Sequence, residues 1–223
     1  MQLIKPLIGI VAVNPDRYIG TLDNSIPWSY GLDFKYFKTV TEFGVVVMGR
    51  KTFESMGCKP LSNRLNIVLT SNKQYEAFGS VVVHSLPQLL QVLNNCNTQK
   101  HFCIGGGEVF NLLREYICGY LLTVVPDYVA EGVKLPHTAL PLDITRLLNA
   151  DTACVQMPNR LQKDATVVPV VKYTNVVNPL FAFEHEWDTQ ALLYAHQYRG
   201  FAEIIPTAKF TIDLESSLAA VGE

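Results

Sequence analysis

The feature that most constrains this chain is a series of short, unbroken apolar runs rich in β-branched residues. They fall at Leu7–Val13, Val45–Met48, Leu65–Leu69, Val81–His84, Phe102–Ile104 and Tyr120–Val125. A strand that shows water one face alternates apolar with polar; a strand without alternation is covered on both faces. Between the runs lie segments with helical spacing, at Asp33–Thr41, Lys51–Met56, Leu86–Leu93 and Glu108–Tyr116. Strands alternating with amphipathic helices predict an α/β fold: a mostly parallel central sheet with helices on both faces. The β-rich stretch Val167–Thr174 is placed as an antiparallel edge. With 48 % hydrophobic residues, the 223-residue chain has enough apolar material for one such core.

Charge and cysteine usage narrow the function. The formal net charge is −2, without the basic excess that nucleic-acid binding asks for. The five cysteines, Cys58, Cys96, Cys103, Cys118 and Cys154, are odd in number and show no CxxC spacing. That disfavours a disulfide framework or zinc site and points to a reducing, cytoplasmic setting. The first apolar run is broken by Lys5 and Pro6 and reads as a strand rather than a signal peptide. No apolar stretch is long enough to span a bilayer, so no membrane partner is expected. The histidines, His185 and His196 included, lack metal-binding spacing, and no metal is expected.

A soft boundary near residue 176 separates a catalytic domain, 1–176, from an aromatic-rich extension, 177–223. In the extension Trp187, Ala191, Tyr194, Ala195 and Tyr198 share one helical face. That face suits self-association into a homo-oligomer, with docking on the same chain as the alternative.

Four segments carry candidate chemistry. In IGTLDNSIPWSYGLDFKYFKTVT, residues 19–41, a long loop leads into a helix bearing Asp33 near its start. Asp33 reads either as a carboxylate complementing the helix dipole or as one held in an apolar cleft. In MGRKTFES, residues 48–55, a strand ends at Gly49, and Arg50, Lys51 and Thr52 begin a helix, which suits an anion. The alternative is a solvated basic helix start. In IGGGEVF, residues 104–110, a strand meets three glycines that let backbone N–H groups approach a phosphate closely, though the pattern is not GxGxxG. The fourth is the first strand with the loop that leaves it, residues 8–28, bent at Gly20 and Pro27; it reads either as a functional loop or as a plain surface loop.

Together these segments, in this order and at this spacing, resemble the dihydrofolate reductase family over roughly residues 8–174. The resemblance implies reduction of 7,8-dihydrofolate to tetrahydrofolate with NADPH, within one-carbon and thymidylate metabolism, and inhibition by antifolates. Asp33 matches the family's acidic group in the pterin pocket, and Thr123 the threonine that hydrogen-bonds it. Ile10, Val11, Phe37, Met56, Leu61 and Ile104 match substrate-side positions. Arg64 matches the arginine that grips a substrate carboxylate. Ala12, Ile19 and Gly20 match positions near the nicotinamide. Gly49, Arg50, Lys51, Thr52, Thr70 and Ser71 match the phosphate and adenosine side, with Arg50 and Lys51 favouring a 2′-phosphate and hence NADPH over NADH. Gly105 and Gly106 match a pair joined by a cis peptide, and Gly107, Glu108, Val109 and Phe110 continue the cofactor side. Residues 20–28 match a loop that closes over the nicotinamide.

Some positions depart from the family pattern. Phe53 and Phe110 stand where a larger or hydroxylated aromatic is common. Cys58 and Lys59 include a one-residue insertion, and Ser62–Asn63 replaces a Pro-Gly turn, which puts the reach of Arg64 to the test. The stretch EGVKLP, residues 131–136, lacks an acidic latch for the mobile loop. The alternative to an enzyme is a non-catalytic or structural member of the same fold, with the extension as its interaction element.

Overall fold

In the computed structural model, β1 (Leu7–Val13), β3 (Val45–Gly49), β6 (His101–Cys103) and β7 (Ile117–Val124) form the centre of the sheet. The structure describes residues 3, 5–98, 100–125, 127–140 and 144, and the backbone of β9 (Ala153–Pro158), β10 (Ala165–Thr174) and β11 (Ile204–Pro206). Successive side chains of a strand point to opposite faces. Val45 and Val47 accordingly join one buried cluster, while Val46 and Met48 join the other. The same division holds in β1, where Leu7 and Val13 oppose Ile8 and Ile10. Both faces are apolar because both are covered, and that is why these strands read as unbroken apolar runs.

Among the described residues one sheet runs in the order β11-β9-β10-β7-β1-β6-β3-β4-β5, with β4 at Leu65–Leu69 and β5 at Val81–Val83. From β7 to β5 every pairing is parallel. β10 runs antiparallel to β7, as expected of Val167–Thr174, and β9 and β11 extend that antiparallel side. The helices are α1 (Gly31–Thr41), α2 (Arg50–Ser55), α3 (Leu86–Asn95) and α4 (Gly107–Leu112). Val40 of α1 and Phe53 of α2 pack on one face; Leu89, Leu90 and Leu93 of α3 and Val109 and Phe110 of α4 pack on the other. α3 starts where Ser85 accepts a hydrogen bond from the Gln88 N–H, with Pro87 in the first turn.

The structure corrects several boundaries. α4 stops at Leu112 instead of reaching Tyr116, because Arg114 and Tyr116 make turn bonds to Asn111 and Leu113 and β7 then begins at Ile117. A small antiparallel ribbon of β2 (Tyr18–Gly20) and β8 (Val133–Lys134), and strands β9 and β11, were not expected. β11 belongs to the 177–223 extension, yet it pairs with β9 at the edge of the main sheet. The aromatic stripe from Trp187 to Tyr198 lies outside the described residues.

Candidate functional site

In parallel sheets ligands bind where the carboxyl ends of the strands open. Here those ends belong to β1, β3, β6 and β7, and a cavity of about 650 Å³ opens beside them, facing α1 and α2. Asp33, in the first turn of α1, stands in this cavity. The Thr123 hydroxyl, on β7, donates to Asp33 Oδ1 at 2.7 Å. Burial pushes the Asp33 carboxyl up to about 6, and the Thr123 hydrogen bond opposes that rise. Of the two readings of Asp33, the cleft carboxylate is the one the structure supports. Asp33 is half-buried and lines the cavity, so a ligand there can reach it.

The start of α1 is fixed from outside. Tyr30, fully buried, donates its hydroxyl to the Asp127 carboxylate, and Asn14 Nδ2 donates to the Asp127 carbonyl at 3.1 Å. These bonds tie the segment before α1 to the segment after β7, and so hold Asp33 opposite Thr123.

The remaining substrate-side residues named from the sequence come together. Ile10, Val11, Phe37, Met56, Leu61 and Ile104 all line the cavity. Arg64 lines it too, so the insertion has not carried it away. Its Nη1 donates to Thr41 Oγ1 and its Nε to the Ser62 carbonyl, each at 2.9 Å, and its guanidinium lies 6.0 Å from the centre of the Phe37 ring. Burial pulls the Arg64 pKa below its usual value, and Glu42 opposes that. The extra residue is absorbed in a turn where Gly57 and Cys58 both take left-handed φ, at 73° and 56°. Asn63 does the same at 58°, a conformation asparagine tolerates better than most residues.

The expected cofactor residues divide. Ala12, Ile19, Gly20, Thr52, Gly106 and Phe110 line the cavity. Gly49, Arg50, Lys51, Thr70, Ser71 and Gly105 do not, nor do Gly107, Glu108 and Val109. They lie on the strand ends and first helical turns beside it. The Gly49 N–H donates to the Gly105 carbonyl at 2.8 Å, and Gly105–Gly106 is joined by a cis peptide, as the resemblance implied. Gly105 has φ +106°, which favours glycine, and a Cβ on Gly106 would stand 3.4 Å from the Thr52 hydroxyl. This glycine crossing leaves the cavity wall open to a ligand backbone, and with Arg50 and Lys51 next to it the arrangement fits a dinucleotide.

The loop at 21–27 covers the cavity's other side. Asn24, Ser25 and Ile26 line it, and Thr21 closes the turn through its N–H to the Ser25 carbonyl at 2.9 Å. The β2–β8 ribbon carries this loop. Arg17 pins the ribbon: its Nε donates to the Leu135 carbonyl at 3.0 Å and its Nη2 to the Leu140 carbonyl at 2.8 Å. Gly132 packs so closely on the ribbon that a Cβ there would meet the Gly20 carbonyl oxygen at 2.1 Å.

Several further residues line the cavity. Trp28, at the end of the loop expected to close over the nicotinamide, is almost fully buried, and its indole N–H has no hydrogen-bond partner among the described residues. Phe34, Lys38 and Lys59 line the cavity as well. Phe34 and Lys38 were legible in principle, since they flank Asp33 and Phe37 on α1. Lys59 sits on the insertion, where no spacing rule applies. Among the described residues no group of His, Cys, Asp and Glu side chains could hold a metal ion, and no helix is long and apolar enough to cross a membrane.

A parallel sheet whose strand ends open on an apolar cavity, with one carboxylate inside it, a glycine crossing on its wall and an arginine at another side, defines an α/β enzyme. Its site suits an elongated ligand with a hydrogen-bonding head and an anionic tail. The dihydrofolate reductase family model matches residues 6–140. The type 3 dihydrofolate reductase of Salmonella typhimurium is 38 % identical over 148 residues, covering 61 % of this chain and 90 % of that one. The dihydrofolate reductase of Bacillus subtilis is 42 % identical over 107 residues, covering 48 % of this chain and 61 % of that one. The solved structure of the Enterococcus faecalis dihydrofolate reductase, complexed with NADP(H) and RAB-propyl, superposes with a TM-score of 0.61 at 28 % identity, covering 76 % of this chain and 95 % of that one. The chain belongs to the dihydrofolate reductase family.

Proposed function

We propose that this chain reduces 7,8-dihydrofolate to 5,6,7,8-tetrahydrofolate with NADPH, and that Asp33 is the group that makes the pterin reactive. The observation that carries this reading is the Asp33 carboxylate in an apolar cavity, fixed by Thr123 at 2.7 Å. Ionised, Asp33 accepts hydrogen bonds from N3 and the 2-amino group of a pterin, an amidine-like pair of donors. Arg64 keeps N–H donors free of its Thr41 and Ser62 bonds and takes the carboxylate tail. Ile10, Phe37, Met56 and Leu61 enclose the rings between these two ends.

NADPH supplies the hydride that adds to C6 of the pterin. Ala12, Ile19 and Gly20 hold the nicotinamide end, Gly105, Gly106 and Thr52 the pyrophosphate, and Arg50 and Lys51 the 2′-phosphate. The reaction also consumes one proton, at N5. Asp33 binds the other ring of the pterin, so a water is the immediate donor, while Asp33 polarises the ring and raises the basicity of N5. The indole N–H of Trp28, without a partner among the described residues, offers such a water a donor. The loop at 21–27 closes the site against bulk water.

The Asp33–Thr123 pair, Arg64 and the open cavity together support a working enzyme over a non-catalytic member. The free thiols of Cys58, Cys96, Cys103 and Cys118 support a reducing cytoplasm. For the extension beyond residue 176, the pairing of Ile204–Pro206 with β9 favours docking on the chain's own sheet over self-association. Removing residues 177–223 then leaves chemistry intact but bares the β9 edge; sedimentation reports a larger species under this reading and a smaller one if the extension joins two chains. The activity itself is tested by the loss of NADPH absorbance with and without dihydrofolate. Oxidation that depends on dihydrofolate is expected. Its absence at any dihydrofolate concentration refutes the function.

A further inference from the structure

Arg50 is not a bare cation. As the first residue of α2 it lies four positions before Glu54, and its Nη1 stands 2.9 Å from both carboxylate oxygens of Glu54. The two side chains are 38 % and 37 % exposed, so the pair is held at the surface, where a solution ligand can exchange with it. The guanidinium lies 6.0 Å from the centre of the Tyr75 ring, which keeps it over one fixed platform. The negative field of Glu54 extends to that platform: after burial, Glu54 is the largest cause that pushes the Tyr75 phenol up. Lys51, the next residue, is exposed and has no acidic partner among the described residues.

We infer that Glu54 determines how strongly this chain discriminates NADPH from NADH, by acting as the resident counter-anion of Arg50. The inference rests on the reading of Arg50 as a cation for the 2′-phosphate. A phosphate dianion that reaches Arg50 enters the field of the Glu54 carboxylate. Glu54 must then swing away and surrender its ion pair, or share the guanidinium and accept like-charge repulsion. Either way, the Arg50–Glu54 interaction is subtracted from the binding of the phosphorylated dinucleotide alone. NADH presents a neutral hydroxyl at the same place and leaves the pair undisturbed. Lys51 meets no such competition, so it supplies the uncontested part of the preference. Glu54 therefore acts through Arg50 as a positioning residue that lowers selectivity for the 2′-phosphate.

The test is the KM for NADPH and for NADH at saturating dihydrofolate, in the full chain and in Glu54→Gln, Arg50→Gln and the double variant. Glutamine keeps the length of Glu54 and removes only its charge. Glu54→Gln should lower the KM for NADPH about two- to fivefold, the range for an exposed ion pair, and leave the KM for NADH unmoved. That gain should vanish in the Arg50→Gln background and shrink as salt is raised. If Arg50→Gln erodes the NADPH preference but Glu54→Gln moves neither KM, or moves both alike, the inference about Glu54 is overturned and the Arg50 reading survives. If Arg50→Gln leaves the preference intact, the Arg50 reading falls and takes the inference with it.

Discussion

Thr123 donates its hydroxyl to Asp33 at 2.7 Å, although the two are 90 residues apart. β7 delivers the hydroxyl and α1 the carboxylate, so the pair forms only once sheet and helix have packed. Burial alone would keep Asp33 protonated well above the usual carboxylate range; the Thr123 bond limits that rise and leaves the group close to half ionised at pH 6.

This balance affects stability as well as catalysis. Asp33 has a folded pKa of about 6, against 3.8 for the same carboxyl in an unfolded chain. The folded chain therefore takes up a proton that the unfolded chain does not, and stability rises as pH falls from about 6 to 3.8. His101, buried, has the opposite sign, because burial pulls its folded pKa down to about 4 against 6.5. Its contribution is present above pH 6.5 and is lost as pH falls to about 4. Each effect is on the order of 3 kcal/mol at most, so the two nearly cancel between pH 4 and 6. In the absence of ligand, Asp33→Asn should be more stable than the parent at neutral pH and lose that advantage by pH 4. Urea midpoints across the range measure this; an advantage that does not change with pH contradicts it.

Arg64→Leu should raise the KM for dihydrofolate far more than it lowers kcat. A contact with the tail of the substrate, remote from the reacting atoms, strengthens ground state and transition state alike. The lost charged hydrogen bonds are worth roughly 1.5–3 kcal/mol. Thr41 keeps its bond to the Phe37 carbonyl at 2.7 Å, so the helix should not suffer. An unchanged KM would assign the tail to Lys38 or Lys59, the other cations in the cavity lining.

Gly132→Ala should disturb the loop at a distance from the chemistry. Its new methyl would overlap the Gly20 carbonyl, so the β2–β8 ribbon must part and move residues 21–27 off the cavity. Overpacking of this kind costs about 1–3 kcal/mol. A higher KM for NADPH and a lower kcat are expected together, with Arg17 still anchoring the fold. Unaltered kinetics would mean that the loop does not rest on Gly132.

The parts of the fold legible in the sequence were those with an unambiguous period. Leu7–Val13 and Leu65–Leu69 were read to the residue, because a strand buried on both faces has no polar interruption. β6 starts and ends one residue before the apolar run Phe102–Ile104, because its first residue, His101, is polar yet fully buried. β2 and β8 escaped notice because a ribbon of two or three residues has no period at all; a buried Arg17 bonded to backbone carbonyls holds it. In the site, Asp33, Thr123 and Arg64 were recoverable from motif and order. The engagement of Arg50 by Glu54 is an i,i+4 pair, a spacing the sequence carries but a phosphate-binding motif does not require. Lys59 could not be placed, since an insertion carries no register.

If an ionised Asp33 makes the pterin reactive, the pH dependence of hydride transfer must change in Asp33→Asn. Asparagine preserves shape and keeps an acceptor for the Thr123 hydroxyl, so the cavity should persist. Single-turnover rates with NADPH and dihydrofolate should fall steeply at neutral pH and recover in part in acid, where the substrate arrives already protonated at N5. A variant that transfers hydride at a near-normal rate at pH 7, or whose rate shows no recovery in acid, contradicts that account of Asp33.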